Sequence, residues 1–184
     1  MVIGACLWIP KDLWDELEGF PEWFESIAED MYLCCRARLA GYAVRALVTS
    51  GYLHWQGKSF GGNKVEGDRL ATTFRRRALS ERNKTFVMVM TCPTPVIQML
   101  LPIHLMMLLL EGVVLSILKG QIAFLTVIYL PVLSALSKQH GVLRISRAEM
   151  QNKRHLDIAD IFAVFDLPPY KLRMLVRHGL PRVH

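Results

Sequence analysis

Two adjacent carboxylates, Glu29 and Asp30, and one histidine, His54, are the side chains of this chain best suited to chemistry. A general base needs a carboxylate held in one place and within reach of the proton it removes. Ser26 and Glu29 have capping-box spacing, so a helix starting here puts both carboxylates on its first turn, where the helix N-terminus favours negative charge. That helix is expected to run from about residue 27 to 40 and to stop at Gly41. Its periodicity turns Ile27, Met31, Cys34, Cys35 and Leu39 toward a core and leaves Arg36 outside the stripe. Residues 42–49 then read as a β-rich run, so that His54 follows a strand and emerges at the same edge as the carboxylates. Each residue also has a plainer reading. Glu29 is explained as the capping partner of Ser26, and a lone histidine after a strand is usually a packing residue, whereas Asp30 has no comparable structural role.

The surrounding elements follow from periodicity and punctuation. Residues 2–9 read as a buried strand, residues 10–17 as a short helix with Pro10 in its first turn, and residues 18–24 as an aromatic loop. Residues 60–67 contain three glycines and little apolar content, which predicts a loop. A basic helix is expected over residues 68–84, carrying Arg69, Arg75, Arg76, Arg77 and Arg82. Such a face is ordinarily solvated, with phosphate or anionic lipid as its functional alternative.

Gly4-Ala5-Cys6, Glu18-Gly19-Phe20-Pro21-Glu22, Glu29-Asp30 with Leu33, Arg36 and Gly41-Tyr42, His54-x-x-Gly57-x-Ser59 and Arg82-Asn83 occur in this order. The series resembles the second half of bacterial family 2 glycosyltransferases, in particular the rhamnosyl- and galactofuranosyl-transferase-like branch, over residues 4–83. The resemblance implies an α/β fold, a partial GT-A (Rossmann-like) catalytic half, with inverting transfer of a sugar from a nucleotide-sugar donor. By the same resemblance Asp30, paired with Glu29, is the general base, and His54 helps hold a divalent metal, Mg²⁺ or Mn²⁺, on the donor pyrophosphate. Gly4, Ala5, Trp55 and Arg82 fall at substrate-binding positions. The sequence departs from the family at Pro21 and at Tyr32, where aspartates are usual, and it contains no Asp-x-Asp. The nucleotide-binding units of the family precede the matched stretch. The chain is therefore expected to be the second half of an enzyme, either a truncated piece of it or a half-enzyme with a separate chain carrying the other half.

Composition divides the chain in three. Residues 1–84 hold most of the motifs, residues 85–138 are almost free of charge, and residues 139–184 form a basic amphipathic tail. Apolar runs near 20 residues can cross a bilayer, so residues 96–118 and 120–136 read as two membrane-spanning or interfacial helices joined at Lys119-Gly120. Basic residues flank both outer ends, which puts both on the cytoplasmic side of the plasma (inner) membrane. His104 and Glu111 lie within the first run and are costly there unless they face protein, water or the interface. With 22 Lys and Arg against 16 Asp and Glu the net charge is +6, which suits an anionic membrane surface or a phosphate-bearing substrate.

The four cysteines have no C-x-x-C spacing and are expected to be reduced core residues of a cytosol-facing protein. No signal peptide is expected, since Met-Val-Ile-Gly lacks a basic n-region. The reading is a transferase half acting at the membrane on a cell-surface glycan or polyprenyl-linked acceptor. The alternative is a non-catalytic membrane protein or partner subunit derived from such an enzyme. A nucleic-acid module leaves the apolar segment unexplained and offers no aromatic-basic platform, so no nucleic-acid partner is expected.

Overall fold

The computed structural model describes residues 6–47, 51, 64–66, 69–163, 170–180 and 182–183. The helices are α1 (Lys11–Glu16), α2 (Glu29–Leu39), α3 (Phe74–Thr91), α4 (Thr94–Lys119), α5 (Leu130–Lys138), α6 (His140–Asn152), α7 (Ile158–Phe162) and α8 (Tyr170–His178). A short 3₁₀ turn at Glu22–Phe24 precedes α2, and a π-helical stretch, Phe124–Tyr129, leads directly into α5. Three short strands, β1 (Lys64–Glu66), β2 (Arg69–Thr72) and β3 (Arg182–Val183), form one small sheet in that order. The first pair is antiparallel and the second parallel.

The strands expected over residues 2–9 and 42–49 are not formed at residues 6–9 and 42–47; the remainder of each lies outside the described residues. The basic helix starts later than its charge pattern suggests. Residues 69–72 are committed to β2, and Thr73 then caps α3 by accepting from the Arg76 N–H at 3.2 Å.

Helix α3 is the hub, packing against α2, α4, α5, α6 and the π-helical stretch. Around it Phe24, Tyr32, Leu39, Phe86, Val87, Met90, Leu143 and Met150 make one apolar cluster. Its C-terminal carbonyls find side-chain partners on α6: Arg147 donates to Val89 and Cys92, and Gln151 donates to Met90 and Thr91. These groups would otherwise be the orphan acceptors of a helix end.

The stripe assigned to α2 is only part of what it buries. Cys34 and Leu39 are buried, but so are Tyr32, Leu33, Arg36 and Ala37, because α2 is covered by the α3 cluster on one side and by Leu17 and α1 on another. Arg36 thus sits inside rather than outside. Its guanidinium meets Glu18 at 3.1 Å and donates to the Tyr32 hydroxyl at 2.9 Å. Burial raises the Tyr32 phenol against the lowering effect of Arg36, and burial pushes the neighbouring Cys35 thiol up to about 11. The four cysteines are free; Cys34 and Cys92 are buried, Cys35 is partly so, and Cys6 is exposed rather than packed.

Helix α4 and the π-helical segment form a hairpin that turns where Gly120 takes a left-handed conformation at φ +63°. The hairpin closes on Leu108, Leu115, Phe124, Ile128, Tyr129 and Val132. Gly112 lies at the closest approach. A β-carbon there would stand 2.8 Å from Tyr129 Cδ2 and 2.9 Å from Leu125 Cδ1, and Tyr129 is itself almost wholly buried. Gly112→Ala is therefore expected to lower stability by about 1–3 kcal/mol through overpacking. Gly141→Ala, with open space around its β-carbon, is expected to be neutral or to stabilise by up to about 1 kcal/mol. Denaturant titration of the two variants side by side checks this.

Candidate functional site

The approach to Glu29 and Asp30 is strained. Glu25, Ile27 and Ala28 have φ of +63°, +70° and +68°, the left-handed region that side chains avoid, and for a β-branched residue such as Ile27 the conformation is an outlier. Each costs on the order of 1–2 kcal/mol. Ala28, in that conformation, occupies the N-cap of α2 with no side-chain cap, so the expected Ser26–Glu29 capping box does not form. Glu29 and Asp30 are instead the first two residues of the helix, both partly exposed. The Met31 N–H donates to Asp30 Oδ1 at 2.7 Å, which fixes the carboxylate over the first turn.

What holds the strained segment is the Arg82-Asn83 pair of α3. Asn83 is completely buried, and its amide nitrogen donates to the carbonyls of Phe24, Ser26 and Ile27 at 2.9, 2.8 and 2.7 Å. Two amide hydrogens are thus shared among three acceptors. Arg82 adds a bond to the Phe24 carbonyl at 2.9 Å and an ion pair with Glu25 at 2.8 Å, while its Nε donates to Asn83 Oδ1. With net values of about 1 kcal/mol per neutral bond and about 1.5–3 for a charged one, these contacts are of the same order as the backbone strain they oppose. The Ser26 carbonyl is drawn toward Asn83. Ser26 lies two residues before the N-cap and does not cap the helix.

A second polar group lies between α3 and α4. Arg77 donates to Glu111 at 2.6 Å and to the Tyr129 hydroxyl at 2.9 Å, and Lys171 of α8 bridges Glu81 and Glu111 at 2.9 and 2.7 Å. Thr85 Oγ1 donates its single hydrogen to the Glu81 carbonyl at 2.7 Å, so His104 Nε2, 2.9 Å away, must be the donor to Thr85. His104 and Glu111 are therefore partnered within the protein.

Of the residues singled out by sequence, Glu29, Asp30 and Arg82 meet in one region. Arg82 is engaged with the Phe24–Glu25 backbone and carboxylate, as a positioning residue. Gly4, Ala5, His54 and Trp55 lie outside the described residues. Among the described residues no group of three or more His, Cys, Asp or Glu side chains could hold a metal ion. Sequence reasoning quoted Asn83 without a role for it. A polar residue followed three positions later by the apolar run that starts at Phe86 is the available signal, and it does not name the loop it would clamp.

No protein-family model, curated protein or solved structure matches this chain. Asn83→Ala is expected to destabilise the fold by about 2–4 kcal/mol, since it takes the shared amide from the Ser26 and Ile27 carbonyls, leaves Arg82 alone on the Phe24 carbonyl and empties a fully buried side-chain position. Arg82→Lys keeps the charge but loses the fork, and should cost about 1–2 kcal/mol. Thermal denaturation of both variants, with Arg45→Ala as a solvent-exposed control, measures the difference.

Proposed function

We propose that this chain is the acceptor-side half of an inverting family 2 glycosyltransferase, working at a membrane together with a nucleotide-binding half. The observation that supports it most is the clamp between Arg82-Asn83 and the segment entering Glu29-Asp30. These are two motifs of the family resemblance, more than fifty residues apart in sequence, and the fold uses one to set the geometry of the other. Strained backbone next to a carboxylate pair is a feature met at sites that must hold a reactive group in one position.

In this reading Asp30, at the helix N-terminus, accepts the proton of an acceptor hydroxyl. The hydroxyl oxygen attacks the anomeric carbon, the bond from that carbon to the nucleoside diphosphate breaks on the opposite face, and the configuration inverts. Glu29 contributes to the first turn of α2 and Arg82 acts through the backbone. The metal of this scheme, Mg²⁺ or Mn²⁺, would rest on His54 and on ligands of the partner half.

The isolated chain is expected to bind UDP- or dTDP-sugars with a Kd poorer than about 1 mM. Once it is combined with a nucleotide-binding half that restores transfer, Asp30→Asn should lower kcat by about 10² to 10⁴ with little change in donor KM, while Glu29→Gln should leave kcat within about threefold. Tight metal-dependent donor binding by the chain alone would contradict the half-enzyme reading. Loss of activity in Glu29→Gln with an active Asp30→Asn would move the base to Glu29, and a folded complex without any transfer would favour the non-catalytic partner subunit.

A further inference from the structure

The outer surface of α4 and the polar seam beneath it together limit how this protein can meet a membrane. Between residues 99 and 118 every exposed residue of α4 is apolar, with Met99, Ile103, Met106, Leu110, Val113 and Ile117 recurring at three- and four-residue intervals. The polar members of this stretch, His104, Glu111 and Ser116, are turned inward onto protein partners. A protein-binding face ordinarily has a polar rim and a hydrogen bond every 100–200 Å² or so, and this surface offers neither along about 28 Å of helix. Its chemistry fits acyl chains. The tail beside it is basic, with eight Lys and Arg against four Asp and Glu in residues 139–184. Lys171 ties α8 of that tail to Glu111 of α4 and Glu81 of α3.

The helix is long and apolar enough to cross a bilayer, with 26 residues and a mean hydropathy of 2.1 over its central window. Its packing argues against crossing. Helices α3 and α4 run antiparallel, joined at Arg77–Glu111 and again, two turns along, at Thr85–His104. A crossing α4 would carry the charged half of α3 with it into the hydrocarbon, Lys84 near its middle and Arg75, Arg76 and Arg77 further out. Of these, Arg75 and Lys84 are exposed to the surroundings. Charges exposed there are strongly disfavoured.

We infer that the α4 hairpin lies in the plane of one membrane leaflet, its Met99-to-Ile117 face among the acyl chains and the basic tail among anionic headgroups. This does not depend on the transferase reading. It fixes the orientation of the molecule on the membrane, with α3 and the Glu29-Asp30 region on the side of the hairpin away from the hydrocarbon.

Spin labels at Met99→Cys, Met106→Cys and Ile117→Cys, in full-length chain with Cys6→Ser, test it on phosphatidylcholine vesicles with and without about 30% phosphatidylglycerol. The three positions span most of a hydrocarbon thickness if the helix crosses. In-plane seating gives three equal, shallow depths by oxygen against aqueous nickel relaxation, with vesicle partitioning at least about tenfold weaker when the anionic lipid is omitted. Ile103→Glu with Ile117→Glu should weaken partitioning by about tenfold or more. A deep label at Met106 with shallow ones at Met99 and Ile117 would overturn the proposal in favour of a crossing helix. Labels shielded from both relaxants in a concentration-dependent oligomer would assign the face to a second copy, and absence of vesicle binding would remove the lipid altogether.

Discussion

The side-chain amide of Asn83 is the interaction on which the first third of the described structure depends. It reaches across from the hub helix to the carbonyls of Phe24, Ser26 and Ile27, in the segment where Glu25, Ile27 and Ala28 have positive φ. Asn83 itself is fully buried, as is its contact with the Phe24 carbonyl. The direction in which α2 starts, and hence where Glu29 and Asp30 stand, is set by a residue that belongs to a different element. Arg82 reinforces the same loop from the surface side, and the aromatic edges of Trp23, Phe24 and Phe86 close over the contact.

The same helix solves a second problem at its other face. An apolar helix such as α4 cannot easily hold Glu111 and His104 unless each finds a partner, and α3 supplies both, with Arg77 for the carboxylate and Thr85 for the imidazole. Lys171 then completes the seam from the C-terminal helix. One helix therefore carries the clamp for the carboxylate pair and the polar backing for the apolar hairpin.

The charge-free run was the clearest signal in the sequence. Residues 96–118 read correctly as one long helix ending at Lys119-Gly120, while the cost of an ionisable residue there left protein, water and the interface open for Glu111, and the structure pairs it with Arg77 and Lys171. Around the carboxylates sequence was less informative, for an identifiable reason. Local patterns compete with a long-range hydrogen bond that sequence does not display. Ser26 and Glu29 have good capping spacing, yet Asn83 takes the Ser26 carbonyl and Ala28 becomes the cap. Arg36 looks like a surface residue by periodicity, but a helix covered on several sides has no surface to give it, and Glu18 and Tyr32 make its burial tolerable. The β-rich composition of residues 42–47 finds no neighbouring strand to pair with among the described residues, and propensity alone does not build a ladder.

Amide hydrogen exchange tests most directly whether Asn83 sets the conformation that presents Glu29 and Asp30. In the native chain the Ser26 N–H is bonded to the Phe24 carbonyl and the Tyr32 N–H to that of Ala28, so both report on the strained segment. In Asn83→Ala these two amides should exchange at least about tenfold faster, while Thr126 in the hairpin, bonded to Ile122, keeps its protection. Unchanged exchange at Ser26 and Tyr32 in the variant would show that the segment holds its own shape, and that the Arg82-Asn83 pair does not position the carboxylates.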